Sequence, residues 1–440
     1  MILSGWGRYP VADCAVSAPR DDEDMRALVA RGPLIARGAG RAYGDSAFNP
    51  AQTADMRHFN RMLAFDPATG QITVEAGVIL GDLVTAMRPR GWFVPVTPGT
   101  KFVTIGGMIA ADVHGKNHHR HGSFGNFVDW IDVMQPDGAV VRASRDAHID
   151  LFHWTIGGMG LTGVILRASF RMIAVESGWI RQTLIPAPDL DAVMEGFAAA
   201  QDTTYSVAWI DCLASGTNMG RSLLMLGEHA RLADLPPKKV GTPFSTPRKI
   251  NLSVPFDAPG FALNRVTVRA FNAVYYRKGV FGAGQSLVDW DTFFYPLDAI
   301  GHWNRIYGRR GFVQFQSVLP LAASRDGLRK LLKEISASGQ GSFLSVIKRF
   351  GAQDSRISFP MEGYTLALDF PMTPRTLPLL ERLDRITVDH GGRFYLAKDS
   401  RLRPETLRAA DPRMAAFHDW RLQTGAAGHF ASAQSDRLGL

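Results

Sequence analysis

Residues 103–126 read VTIGGMIAADVHGKNHHRHGSFGN, and this stretch sets the expectation for the whole chain. Gly106 and Gly107 open a small apolar run, Met108 to Ala111, compact enough to wind as a helix. The first amides of a helix lack partners within it and attract phosphate. His114, Gly115, Lys116 and Asn117 follow where that helix should end, adding a titratable ring, a cation and an amide. Polar groups this dense beside residues this small predict a flat, phosphorylated ligand lying against the segment.

Two further glycine-rich sites flank it. RGAGRAYGD at 37–45 follows a short apolar run and lets the backbone turn with its amides exposed, as a pyrophosphate cradle requires. The spacing of Gly38, Gly40 and Gly44 is not the dinucleotide fingerprint, and no P-loop is present. WTIGGMGLTG at 154–163 permits close approach to a ring or to another backbone. Alone each is an ordinary loop; three in one block predict that they wrap one long cofactor.

Around these sites, residues 1–175 alternate short helices and strands. A helix is predicted over 21–30, with Asp21 to Asp24 in its first turn and Met25, Leu28 and Val29 on one face. Strands are predicted over 33–37, 71–76 and 92–95, with a helix over 79–90. A hairpin is expected from 128–134 and 140–143 around Pro136-Asp137-Gly138, then a β-rich run over 162–174. From about Ser177 the rhythm changes to two β-α-β-β series. The first has strands 179–186, 205–211 and 221–226 and helix 190–201. The second has strands 312–319, 342–349 and 364–370, helices 327–338 and 376–390, and strand 393–396. Such a pattern predicts an antiparallel sheet covered by helices, an α+β architecture. Residues 227–264, with Pro236-Pro237-Lys238-Lys239, show no period and leave two readings open: a mobile lid, or an insertion without a role.

At 440 residues and 46% apolar composition the chain can fill two sizeable cores. Cys14 and Cys212 make neither a disulfide framework nor a zinc spacing, which favours a reducing, cytoplasmic compartment. No signal peptide or membrane span is expected, because the longest apolar windows are glycine-rich and short. A net charge of +8 favours anionic partners, either phosphorylated ligands or an acidic lipid surface. The basic residues are scattered and no recognition motif accompanies them, so nucleic acid is not expected. His114, His118, His119 and His121 suggest a metal cluster at first sight, but Gly115 and Asn117 interrupt any helix that would align them, and no metal is expected.

The succession RGAGRAYGD, VTPGT, TIGGMIAADVHG, GSFGN and GGMGLTGVI resembles the FAD-binding (PCMH-type) domain of the vanillyl-alcohol-oxidase superfamily. More narrowly, HGKNHH, YSVAWID, FVQFQSVLP, SFLSVIKRFG, GGRFYLAKDSR and the terminal FASAQSDRLGL resemble the decaprenylphosphoryl-β-D-ribose 2′-oxidase family, over nearly the whole chain. The resemblance implies a two-domain fold: an FAD-binding domain over 1–176, completed by 393–440, and a substrate domain over 177–392. It implies that Arg37, Gly38, Ala39, Gly40, Arg41, Ala42 and Tyr43 lie along the FAD pyrophosphate and isoalloxazine. Thr100, Thr104, Gly106, Gly107, His114 and Gly115 would line the flavin's other contacts. Asn126, Gly163 and Val164 would lie nearer the adenylate, and Tyr395 and Ala397 would return to the ring. Around a polyprenyl-phosphate sugar it places Lys116, Tyr43, Trp209, Gln314, Gln316, Leu344, Lys348, Thr365 and Lys398. Lys398 and His114 are the candidate catalytic groups, Lys398 as base or as partner of the reduced flavin's charge. His118, His119 and His121 are read as residues that stand behind the ligand contacts or lie on the surface.

The implied activity is oxidation of the ribose 2′-hydroxyl, with a short-chain dehydrogenase/reductase completing an epimerisation and peripheral contact with the inner membrane face. Members of the superfamily often tether FAD through a histidine in the pyrophosphate loop; Arg41, Ala42 and Tyr43 occupy that loop here, so non-covalent FAD is expected. Where the family carries asparagine and cysteine before an aspartate, this chain has Thr365, Ala367 and Asp369, a change that bears on the glycosyl substrate. Two alternatives remain: an aldonolactone or other soluble-alcohol oxidase on the same fold, and a non-catalytic flavin-binding subunit.

Overall fold

The computed structural model describes residues 1–247, 252–260 and 262–440, and shows an α+β molecule built on two large antiparallel sheets. The first has five strands in the order Val140–Ser144, Val128–Met134, Val164–Arg171, Gln71–Glu75 and Met62–Asp66. A small parallel sheet of Val16–Ser17, Thr53–Asp55 and Ile35–Arg37 accompanies it. The predicted first helix forms over Asp22–Val29; the Asp21 side chain accepts from the Glu23 and Asp24 amides, and Met25, Leu28 and Val29 are buried. The hairpin around Pro136-Asp137-Gly138 forms with Val140 opposite Met134.

The second sheet has eight strands in the order Gly284–Asp289, Trp179–Ala187, Ser222–His229, Tyr205–Ile210, Ser345–Phe350, Gly363–Pro371, Phe312–Pro320 and Arg393–Phe394. Its two outer strands extend it in different ways. Gly284–Asp289 was not anticipated, whereas Arg393–Phe394, expected as the last strand of the second series, pairs with Ser317 and Val318. Helices Leu190–Ala199, Leu321–Ser338 and Thr376–Asp389 cover one face, burying Val193, Phe197, Leu328, Leu331, Ile335, Leu379 and Leu383 against Ala208, Val313, Phe315, Ile347, Leu366 and Leu368. Successive side chains on a strand point to opposite faces. Because Val313, Phe315 and Leu319 meet the helices, Gln314 and Gln316 point the other way. The same alternation turns Thr365, Ala367 and Asp369 away from the helices that Tyr364, Leu366, Leu368 and Phe370 meet, and it turns Lys348 and Trp209 to that same free face.

Two expectations need correction. Residues 227–264 are not uniformly aperiodic. Ser222–His229 continues through their start, a short helix forms at Pro237–Val240, and Leu252–Ser253 pairs with Ile300–Gly301. Residues 248–251 and 261 of that interval lie outside the described residues. The long helix Arg265–Phe281 follows, unannounced by any apolar stripe of ordinary kind. The helix expected over 327–338 begins six residues earlier, as Leu321–Ser338, because Pro320 sits at its N-cap with extended backbone and leads directly into it.

Candidate active site

The loop after Ile35–Arg37 is gripped from three sides. Trp6 donates its amide to the Ala42 carbonyl and Gly7 to that of Tyr43, while the Tyr43 amide donates to the Ala397 carbonyl. A Cβ on Gly38 would lie 2.2 Å from Thr104 Oγ1, so the loop touches the start of helix Ile105–Ala110. Gly40 sits at φ +64°, where a Cβ would meet the Arg37 guanidinium. Arg37 itself braces the turn by donating to the Ala47 and Ser4 carbonyls at 3.1 and 2.9 Å. Among the described residues the backbone amides from Gly38 to Ala42 meet no acceptor within the chain, and Arg41 Nε is buried without one. Unsatisfied amides and a buried guanidinium suit an anionic pyrophosphate.

The helix beginning at Gly106-Gly107 forms as expected, but its amides are not free. Thr104 caps it, accepting from the Gly107 amide at 3.2 Å; the Ile105 amide donates to Val78 and the Gly106 amide to Ala76. The free amides expected there are found instead over residues 38–42. Gly157 and Met159 donate their amides to the Ile109 and Ala110 carbonyls, so the third glycine site serves backbone-to-backbone packing at the end of the same helix.

His114 stands between this half and the free face of the eight-stranded sheet. Gln316 Nε2 donates to His114 Nε2 at 2.9 Å and to Thr365 Oγ1 at 3.3 Å. The ring lies among Phe350, Phe359 and Tyr395, with centroids 4.7, 5.8 and 5.2 Å away. Burial, then the charges of Lys348, His118 and Lys398, hold His114 far below the usual histidine range, so it is neutral. With Nε2 accepting, the proton sits on Nδ1, which is buried and unpartnered among the described residues. That orphan donor fits a carbonyl-rich ring such as isoalloxazine. Tyr395 completes this wall, its hydroxyl donating to the Ala111 carbonyl at 3.0 Å.

Three lysines share the recess. Lys398 Nζ lies 3.7 Å from the Tyr43 ring centroid. Lys116 donates to the Phe293 carbonyl and lies 4.2 Å from that ring's centroid. Lys348 Nζ has no hydrogen-bond partner among the described residues. Burial lowers Lys116 to about 7 and Lys348 to about 8, with Lys348 repelling Lys116. Burial also lowers Lys398, opposed by Asp369, while burial raises Asp369, opposed by its bond with Gln314 and by Lys398. Gln314 Nε2 donates to Asp369 Oδ1 at 2.5 Å, leaving Oδ2 unpartnered. All three lysines keep some solvent access although protein surrounds them, the signature of side chains lining a concave wall.

The structure thus gathers Tyr43, His114, Lys116, Gln314, Gln316, Lys348, Thr365, Tyr395, Ala397 and Lys398. Trp209 donates its indole N–H to the Phe343 carbonyl at 3.0 Å, beside Leu344. Other expected residues are engaged elsewhere. Thr100 donates to Asp298 at 2.8 Å, Asn126 is exposed and donates to the His121 carbonyl, and the Val164 side chain lies in the first sheet's core. A Cβ on Gly163 would strike Val133, and Gly115 packs beside Asn117 and Thr97. Of the two readings open for His118, behind the site or on the surface, the structure gives the first: it is buried against Phe350. Its Nε2 bonds Gln353 Oε1 at 2.6 Å, and Gln353 donates to Asp112 and Ser123 at 3.0 and 2.8 Å. His119 and His121 bond Thr203 and Asn117. Among the described residues no three His, Cys, Asp or Glu side chains form a metal-holding group. Asp369 had a signal, its alternation with Thr365, but Phe350 and Gln353 had none: on their own they read as core or loop.

A family model described as FAD binding domain matches residues 15–144. The chain is 37% identical to the decaprenylphosphoryl-β-D-ribose oxidase of Mycolicibacterium smegmatis, over all of this chain and 97% of that protein. It is 32% identical to an uncharacterized protein in the mprA 5′ region of Streptomyces coelicolor, over 82% of this chain and all of that protein. The L-gulonolactone oxidase of Mus musculus is 29% identical over 31% of each chain.

Proposed function

From the premise that this chain belongs to the decaprenylphosphoryl-β-D-ribose oxidase family of FAD-binding oxidoreductases, we propose that it oxidises the 2′-hydroxyl of a polyprenyl-phosphate ribose to the keto sugar. It is an FAD-dependent oxidoreductase acting on CH–OH groups. When bound, FAD supplies the hydride acceptor. The remaining chemistry falls to the chain's own side chains.

The observation that carries the substrate is the lysine recess. Lys348 and Lys116 meet no carboxylate among the described residues, and each holds its cation at a cost that burial imposes. A phosphodiester between them removes that cost, which selects a phosphorylated sugar over a neutral lactone. Lys398, poised beside Tyr43 and Asp369, takes the proton of the reacting hydroxyl. Its lowered pKa leaves a neutral fraction near neutrality, and a base of that kind works best with its pKa near the operating pH. Gln316, held by Thr365, orients neutral His114 and leaves its Nδ1–H free to donate to the cofactor. Asp369 holds Gln314 and opposes the loss of charge on Lys398.

FAD is held without a covalent bond, because the loop from Arg37 to Tyr43 offers no histidine. Acid precipitation releases the flavin into the supernatant; yellow colour retained in the pellet contradicts this. A separate short-chain dehydrogenase/reductase then reduces the keto sugar to complete epimerisation, and the enzyme visits a membrane to meet its substrate. No helix among the described residues is long and apolar enough to cross one. Anaerobic flavin bleaching tests the assignment with a short-chain prenyl-phosphoryl ribose against aldonolactones. Bleaching by the phosphoryl sugar alone is expected. Bleaching by lactones alone establishes the soluble-alcohol oxidase instead, and bleaching by neither leaves the non-catalytic subunit.

A further inference from the structure

Helix Arg265–Phe281 wears its apolar side outward. It packs on the eight-stranded sheet through Val268, Asn272 and Gly279, with Asn272 donating to Asp211 at 2.7 Å and Gly279 pressed against Leu223. At 100° per residue the opposite side presents Val266, Ala270, Val274 and Phe281. Val266 is 74% exposed, Val274 68% and Phe281 89%. A surface helix ordinarily puts charge where this one puts valine and phenylalanine. Arg269 and Lys278 flank the apolar strip and Arg277 lies within it; the helix has no acidic residue. Among the described residues none of these cations is paired with a carboxylate. Apolar side chains bordered by unpaired long cations match a bilayer of anionic lipids, into which the first insert while the second reach the phosphates.

The same helix is joined to the active site by aromatic rings. Phe271 meets Phe343 at 5.6 Å, Phe343 stacks on Tyr307 at 5.8 Å, and Tyr307 stacks on Phe312 at 4.3 Å. Phe312 meets Tyr43, over which Lys398 sits. A continuous line of ring contacts thus links the exposed helix to Tyr43 and Lys398.

We propose that the outward side of helix Arg265–Phe281 docks the protein on an anionic lipid bilayer, and that a prenyl chain leaves the bilayer along the path from Phe271 to Tyr43. The second clause rests on the proposed substrate; the first does not. The FAD-loaded enzyme is sedimented with phosphatidylglycerol vesicles and with phosphatidylcholine vesicles, neither containing a prenyl phosphate. The wild type binds the anionic vesicles. The V274D/F281D double variant and the charge-reversed R269E/K278E variant each lose about tenfold in partitioning. Both keep their flavin absorbance and their turnover of a short-chain, water-soluble prenyl-phosphoryl ribose, while V274D/F281D loses turnover of the long-chain substrate presented in vesicles. Wild type left in the supernatant overturns the docking proposal, as does equal binding by the variants or indifference to lipid charge. A dimer in sedimentation velocity that V274D/F281D disperses overturns it too, by making a second copy the occupant. Vesicle binding without turnover of either phosphoryl sugar removes the substrate reading and the path, and leaves the docking surface standing.

Discussion

Burial lowers Lys398 and raises Asp369 while their mutual attraction opposes both shifts, and with Lys398 as the proposed base that balance sets how the rate depends on pH. Because Lys398 must be neutral to accept a proton, flavin reduction should accelerate as pH rises through its lowered pKa. Lys398→Met should retain FAD, lose about 10²–10⁴-fold in the reduction rate and lose that pH dependence. Stopped-flow absorbance under anaerobic conditions measures both; a rate that instead falls as pH rises assigns Lys398 a cationic role. Gln316 is a positioning residue. Gln316→Leu removes the donor to His114 and leaves both imidazole nitrogens buried without protein partners, at a cost of about 1–3 kcal/mol in stability. Urea unfolding reads the stability, and a changed visible spectrum of the bound flavin separates loss of His114 orientation from simple destabilisation. Much of this was legible as residue types: a lysine beside glycine loops, and two glutamines at i and i+2. That the glutamine amides face His114 and Asp369 was not, because their partners lie 202 and 55 residues away in the chain.

At the scale of elements, the C-terminal helix Ala433–Leu438 fastens the glycine-rich loop that ends at Asp45. Arg437 donates to both oxygens of Asp45, at 2.8 and 2.9 Å, and to Asp399 at 2.8 Å. It thereby ties the segment after Tyr43 to the segment after Lys398. Both carboxylates are buried. Arg437→Met leaves them uncompensated, and thermal melting should show a loss of about 3–5 kcal/mol. Flavin should also dissociate faster, read by the return of free-flavin fluorescence; unchanged retention means the clamp does not bear on the loop. Elements with a plain period were readable from composition. Asp22–Val29, the hairpin at Val128–Met134 and every strand of the second sheet except Gly284–Asp289 follow from spacing and caps. Helix Arg265–Phe281 was not readable, because its apolar residues are distributed over the solvent side and three small contacts suffice to seat it.

For the whole molecule, buried neutral histidines make stability depend on pH. Burial lowers His118 and His229 to about 4, from an ordinary value of 6.5. His114 is lowered in the same direction. Between pH 6.5 and about 4 the unfolded chain therefore binds more protons than the folded one. The contribution is complete above 6.5 and is lost as pH falls, at about 1.4 kcal/mol per pH unit for each histidine. Urea midpoints at pH 7, 5.5 and 4.5 should fall accordingly, and His229→Gln should flatten the slope by about a third. A midpoint that holds steady across this range would show that these rings protonate without unfolding. Local sequence carried the alternation of elements and the charged side chains, since period and capping act over a few residues, and its resemblance to a known family carried the cofactor. Which glycine loop keeps free amides, which strand faces meet and how three lysines come together were settled by long-range packing. Those outcomes depend on contacts between segments hundreds of residues apart. Residues 103–126 show both sides of this division: their helix forms where its glycines and Thr104 dictate, but its amides are taken by Ala76 and Val78, carbonyls that no local pattern brings there.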